Sequence, residues 1–171
     1  MKNILLAVTG LSPQVITETL YALHQSNRNV DAIHIITTRD GKEKIYTGLF
    51  AGKKGHYYKY LQEYNIPSDS INFSHENIHV VMDEYGVEAT DITNEAQNEQ
   101  LLKKCMELAF LFTKDSGTAV LFSIAGGRKT MSSCLTIAAQ MYGRPQDRLY
   151  HVLVSPEFES NRNFYYPPKE S

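Results

Sequence analysis

The chain has no tryptophan and only two cysteines, Cys105 and Cys134, among its 171 residues. Their separation matches no zinc-finger or redox spacing, which excludes a disulfide scaffold, a cysteine zinc site and a thioredoxin-like motif. Both fall inside helical patterns, so buried, reduced thiols are expected. Excess positive charge is absent too: 17 Lys and Arg against 19 Asp and Glu give a net charge of −2 and a pI of about 6.3. A long duplex gripped through many phosphates needs a basic face, so long nucleic acid is excluded as a partner, while a small anion held by a few local cations is not. No apolar run is long enough to cross a membrane. The opening run Ile4 to Val8 is too short for a signal peptide and meets Thr9, Gly10 and Pro13, so a cytoplasmic protein is expected. Internal repeats and low-complexity tracts are missing as well. The length fits one domain over 1–171 that can bury its own core, with 155–171 as a carboxyl-terminal extension.

What is present is an alternation of strand and helix patterns. Ile4 to Val8 is a continuous apolar run, the mark of a parallel strand buried on both faces. Ser12 then stands where an N-cap belongs and Pro13 at the first helical position, followed by Val15, Ile16, Leu20 and Leu23 at helical spacing. Asn27 and Asn29 mark the turn into a second strand, Val30 to Thr37, which ends at Thr38 and Arg39. Further patterns predict a helix over 53–64 with Tyr57, Leu61 and Tyr64 inward, and a short strand over 78–81. A helix over 94–113 carries Leu101, Leu102, Cys105, Leu108, Ala109 and Phe112, and a strand over 119–122 leads into a helix with Met131, Leu135, Ile137, Ala138 and Met141. The last strand is expected over 148–154. This order predicts an α/β, Rossmann-like three-layer fold with a mainly parallel sheet and helices on both faces.

Two strand-to-helix loops carry unusual chemistry. One is Thr9-Gly10-Leu11-Ser12-Pro13, the other Ala125-Gly126-Gly127-Arg128-Lys129. In a parallel sheet both lie at the strands' carboxyl ends, and if the first and fourth strands are neighbours the loops flank one crevice, where such folds bind ligands. Thr38 and Arg39 form its expected rim. Helix amide groups, hydroxyls and two cations then make a phosphate cradle. The structural alternatives are that Ser12 only caps its helix and that Gly126-Gly127 only allows close packing. Against the second stands a cation pair at a helix start, which the dipole disfavours unless an anion is bound. Gly127-Arg128-Lys129-Thr130 is not a P-loop, since the first glycine of that motif would fall near Phe122 inside the strand and Arg128 separates glycine from lysine. The three spaced glycines of a dinucleotide fingerprint are absent as well.

The opening Leu5-Leu6-Ala7-Val8-Thr9-Gly10-Leu11-Ser12-Pro13-Gln14, the loop Ser123-Ile124-Ala125-Gly126-Gly127-Arg128-Lys129-Thr130-Met131 and the segment Gly143 to Val154 resemble the CRISPR-associated Rossmann-fold (CARF) proteins. Within them the chain resembles the short, stand-alone ring nuclease branch, from Asn3 to about Pro168. The resemblance implies a homodimer that binds a cyclic oligoadenylate second messenger, most often cyclic tetraadenylate, across its two-fold axis. It implies cleavage without metal or cofactor, by 2′-hydroxyl attack, to linear products with a 2′,3′-cyclic phosphate. By motif position the catalytic pair is Ser12 and Lys129, and the ligand-binding residues are Thr9, Gly10, Leu11, Gln14, Thr38, Arg39, Ala125, Gly126, Gly127, Arg128, Thr130 and Met131. One departure is Leu11, where many relatives in the wider superfamily have threonine. The pairs Arg28 with His34 and Arg144 with His151 have the spacing of a HEPN ribonuclease but straddle predicted turns and strands, so no effector activity is expected.

Weaker patterns have structural readings. Lys53 to Tyr60 interleaves cations with aromatics, as single-strand binders do, yet a helix with tyrosines inward explains most of it. His75 and His79 have a usable metal spacing without a third ligand nearby. Asp91 and Asn98 bracket the start of the third helix, with contact to an adenine and a structural role beside a cap at Thr93 or Asn94 as the two readings. Asp147, Arg148 and His151 are expected to form a structural cluster.

Overall fold

The computed structural model describes residues 1–151, 165–167 and 169. Five strands, β1 (Lys2–Val8), β2 (Ala32–Thr37), β3 (Ile78–Val80), β4 (Thr118–Ser123) and β5 (Arg148–Tyr150), pair in the order β3-β2-β1-β4-β5. Every pairing is parallel. The strand order reverses between β1 and β4, so the switch point lies between the two strands whose loops carry the glycines.

The α-helices among the described residues are α1 (Gln14–Gln25), α2 (Arg39–Ile45), α3 (His56–Glu63), α4 (Glu95–Thr113) and α5 (Lys129–Tyr142). Alternation along the central strands divides the core in two. Leu5 and Ala7 of β1 and Leu121 of β4 face a cluster built with Ile16 and Leu20 of α1, Ile45 of α2 and Tyr57 and Leu61 of α3. Leu6, Val8, Val120 and Phe122 face Leu101 and Cys105 of α4 and Leu135 and Ala138 of α5. Two apolar faces on one parallel sheet are why β1 and β4 read as unbroken hydrophobic runs. Each fully buried leucine or isoleucine there stabilises the fold by about 1.5–3 kcal/mol. The α/β, three-layer architecture expected from the sequence is therefore the observed one, with all strands parallel. The two cysteines are buried and free, and burial pushes the Cys105 thiol up to about 12.

Several local expectations need correction. Pro13, not Ser12, is the N-cap of α1, and no side chain caps this helix. The Ser12 carbonyl instead accepts from the Val15 N–H at 3.4 Å. β2 begins two residues late, at Ala32, because Asp31 ties the preceding turn to β1, its carboxylate accepting from the Asn3 N–H at 2.8 Å. Thr38 directly follows β2 and lines a cavity with Ser12 and Gly127. It caps α2, its hydroxyl accepting from the Gly41 N–H at 3.2 Å. The helix expected over 53–64 starts only at His56, because Ala51, Gly52 and Lys53 all have positive φ and break the chain direction. Tyr60 is buried in it, its hydroxyl 2.6 Å from His24 Nδ1, while Tyr64 is half-buried. α4 is as predicted, with a capping box between Asn94 and Gln97. β5 is described to Tyr150, and the expected strand residues 152–154 lie outside the described residues.

Candidate functional site at the strand switch point

The two glycine loops meet. A Cβ on Gly10 would stand 3.5 Å from the Gly127 Cα, so the loops touch backbone to backbone above the carboxyl ends of β1 and β4. Both glycines of the second loop have local structural reasons. A Cβ at Gly126 would lie 2.8 Å from the Val8 carbonyl and from Val15 Cγ1, and Gly127 has φ +79°. The sequence left open whether these glycines serve packing or a ligand, and the packing reason is sufficient for Gly126. Ser132 secures the loop from beneath, donating to the carbonyls of Ile124 and Gly126 at 3.0 and 3.1 Å. Thr37 secures the first loop, donating to the Thr9 carbonyl at 2.8 Å. Neither support was read from the sequence, because a hydroxyl inside a strand or helix gives no periodic signal.

Among the described residues the backbone N–H groups of Gly126 to Thr130 make no backbone hydrogen bond. They sit at the start of α5, where the helix dipole is positive. Of the two cations there, Arg128 is taken: its guanidinium pairs with the Asp91 carboxylate. This removes the argument that both charges demand an external anion, and it gives Asp91 a partner other than a ligand base. Lys129 opens α5, is exposed and makes no ion pair among the described residues.

Three cavities run side by side across the loops. The first, 640 Å³, is lined by Ala125, Gly127, Lys129, Ser132, Ser133 and His151, among others. The second, 230 Å³, is lined by Gly10, Leu11, Ser12, Thr38, Asp91, Gly127, Arg128 and Met131. The third, 330 Å³, is lined by Leu11, Ser12, Gln14, Lys44 and Tyr165. Gly127 is common to the first two, and Leu11 and Ser12 to the last two. Ser12 and Lys129 therefore face different compartments of one track within a protomer. A cavity of 590 Å³ near the amino-terminal end of β2, beside Asn29 and Asp31, has no lysine or arginine in its lining among the described residues.

The remaining candidates are placed as follows. Thr9 is fully buried, with a hydroxyl that has no partner among the described residues, so it lies behind the site surface. Thr130 is exposed, and Arg39 is exposed in the first turn of α2 with its N–H bonded to the Ala89 carbonyl at 2.8 Å. His75 packs on Tyr46 and Phe50 rather than pairing with His79. His79 instead meets His34, Nε2 to Nδ1 at 2.9 Å. Burial first, and the His79 charge second, pull the His34 imidazole down to about 4. Among the described residues no group of three or more His, Cys, Asp or Glu side chains is placed to hold a metal.

The sequence matches the family described as CRISPR-associated protein NE0113 over residues 12–171. The chain belongs to that family. No curated protein matches it. Membership in the NE0113 family covers the second glycine loop, α5 and the tail, and it includes Ser12 and Lys129. No helix among the described residues is long and apolar enough to cross a membrane.

Because Ser12 caps nothing, its hydroxyl is available to a ligand. Ser12→Ala should change unfolding free energy by less than about 0.5 kcal/mol, whereas loss of a true N-cap costs about 1 kcal/mol. Urea unfolding of the two chains checks this.

Proposed function

We propose that this NE0113-family chain is a cytoplasmic ring nuclease that binds a cyclic oligoadenylate, cyclic tetraadenylate in the first instance, across a homodimer and opens it. The observation that carries the reading is the row of three neighbouring cavities that share Gly127, Leu11 and Ser12 as walls at the switch point. At one end, among the described residues, lie amide groups without a backbone partner and a lysine without an ion pair. A four-fold ring on a two-fold axis presents equivalent halves to equivalent loops, so two chains complete one site.

In the proposed reaction a ribose 2′-oxygen bonds to the adjacent phosphorus and the P–O5′ bond breaks. The 2′-hydroxyl proton ends on the departing O5′, leaving a 2′,3′-cyclic phosphate and a linear product. Negative charge grows on the phosphoryl oxygens, where the Lys129 ammonium and the amide groups of the Gly126–Gly127 turn oppose it. Ser12 would hydrogen-bond the 2′-hydroxyl or the phosphate and hold the attack in line. This chemistry supplies its own nucleophile and calls for no cofactor. Opening the ring would lower the messenger and end a CRISPR antiviral signal.

A second reading is a sensor that binds the ring intact and signals to a partner protein. The placement of Ser12 and Lys129 in different compartments favours it, unless the two act together from opposite protomers. Both readings require the two-fold complex. Native mass spectrometry with added cyclic tetraadenylate should show two chains with one ring. One ring per single chain would sink the shared pocket.

A further inference from the structure

Of the described tail residues, Tyr165 sits at the switch-point end of the sheet against α1, and Pro167 and Lys169 lie along the carboxyl end of α3. Thr17 donates to the Tyr165 carbonyl at 2.7 Å, the Tyr64 hydroxyl to the Pro167 carbonyl at 2.7 Å, and the Lys169 N–H to the Glu63 carboxylate at 3.2 Å. The Tyr165 ring lies flat on the His56 imidazole, with centroids 3.7 Å apart and 6° between planes. Its hydroxyl abuts Gly48, where a Cβ would stand 3.0 Å away. A ring fixed in this way is a rigid wall. It closes the 330 Å³ cavity whose other walls are Leu11, Ser12, Gln14 and Lys44.

The chemistry of that lining is specific. Leu11 and Tyr165 offer apolar and aromatic surface to a planar ring. The Gln14 side-chain amide carries a donor and an acceptor at the spacing that pairs with the N6 and N7 edge of adenine. Lys44 adds one positive charge, and among the described residues no carboxylate lines the cavity. We propose that this cavity is an adenine-nucleotide subsite, with the base held by Tyr165, Leu11 and Gln14 and its phosphate by Lys44. It rests on the ring-nuclease reading in that the base held here belongs to the unit whose phosphodiester reaches Ser12, which lines both this cavity and the central one. Tyr165 is then part of the binding site. Leu11, the departure from the threonine of many relatives, becomes part of the base-binding wall.

The test is nuclear magnetic resonance titration of labelled protein with two probes, adenosine 5′-monophosphate and cyclic tetraadenylate, alongside dissociation constants for variants. Both probes should shift the Gln14 side-chain amide. Tyr165→Ala should weaken ring binding about tenfold, Lys44→Ala about fivefold, and Tyr165→Phe, which keeps the ring, by less than about twofold. If the wild type binds the ring while Gln14 stays unshifted and Lys44→Ala and Tyr165→Ala bind as tightly, the subsite is wrong and the function stands. If monophosphate shifts Gln14 in a chain that neither binds nor opens the ring, the function is wrong and the subsite stands. Should Tyr165→Ala fail to fold, the Gln14 signal and Lys44→Ala, an exposed position, decide alone. No Gln14 shift with either probe overturns the proposal.

Discussion

Lys129→Ala should lower the single-turnover rate of ring opening by about 100- to 1,000-fold, the scale seen when one preorganised charge-stabilising donor is removed. Binding should weaken far less, by about tenfold at most, since one exposed cation contributes about 1 kcal/mol to holding an anion. The asymmetry follows from what the structure leaves available at the start of α5. Arg128 is neutralised by Asp91, and the cation beside the unbonded amide groups of the glycine turn is Lys129. An interaction that strengthens as charge builds on the phosphoryl oxygens acts on the rate more than on the affinity. Rates at saturating cyclic tetraadenylate, with dissociation constants by fluorescence polarisation, separate the two. A Lys129→Ala chain that opens the ring at the wild-type rate would remove the lysine from the mechanism.

Asp147→Ala should be the most damaging change to the fold far from the site, costing about 3 kcal/mol and lowering the thermal midpoint by roughly 6–12 °C for a domain of this size. The Asp147 side chain is only 3% exposed. It accepts from the Val120 N–H at 2.7 Å, the Arg144 N–H at 2.8 Å and the Arg144 guanidinium at 3.0 Å, pinning the turn before β5 to β4. Removing it strands a donor of the central sheet and a largely covered arginine. Burial pushes the Asp147 pKa up, but the Arg144 side chain, the Val120 and Arg144 N–H groups and the Arg144 charge outweigh it, so the folded carboxyl titrates below its ordinary value. Its stabilisation is thus fully present above the unfolded-state pKa of aspartate and is lost as pH falls through the lower folded value. Urea midpoints of wild type and Asp147→Asn should converge as pH drops through that window. A constant difference down to the acid limit would mean that the carboxylate charge is not the source.

Much of the architecture was legible because β1 and β4 are buried on both faces and so carry unbroken apolar runs that no surface strand could tolerate. The loops that follow them were legible for a related reason: a glycine pair and a cation pair at a strand-to-helix junction violate the propensities of ordinary helix starts. Where the reading failed, the determinant was a long-range contact or a charged surface. α2 was missed because Arg39 to Lys44 presents mostly charged side chains, its apolar anchors being Ile45 and, one turn later, Leu49. Arg128 looked like a free cation because Asp91 stands 37 residues away. Tyr165 was invisible as a site residue because the contact that places it, with Thr17, spans 148 residues. Of the expected cluster, Arg148 does donate to the Asp147 carbonyl at 2.8 Å, but the Asp147 carboxylate pairs with Arg144, and His151 lines the Lys129 cavity. Spacing alone could not tell these arginines apart, since both lie close to Asp147 in sequence.

The central claim is tested most directly by incubating the wild-type chain with cyclic tetraadenylate in EDTA and resolving the products by chromatography. The account predicts linear adenylates ending in a 2′,3′-cyclic phosphate, formed at the same rate with and without the chelator. A ring that is bound yet recovered intact after prolonged incubation, with or without added metal, would contradict it and leave the sensor.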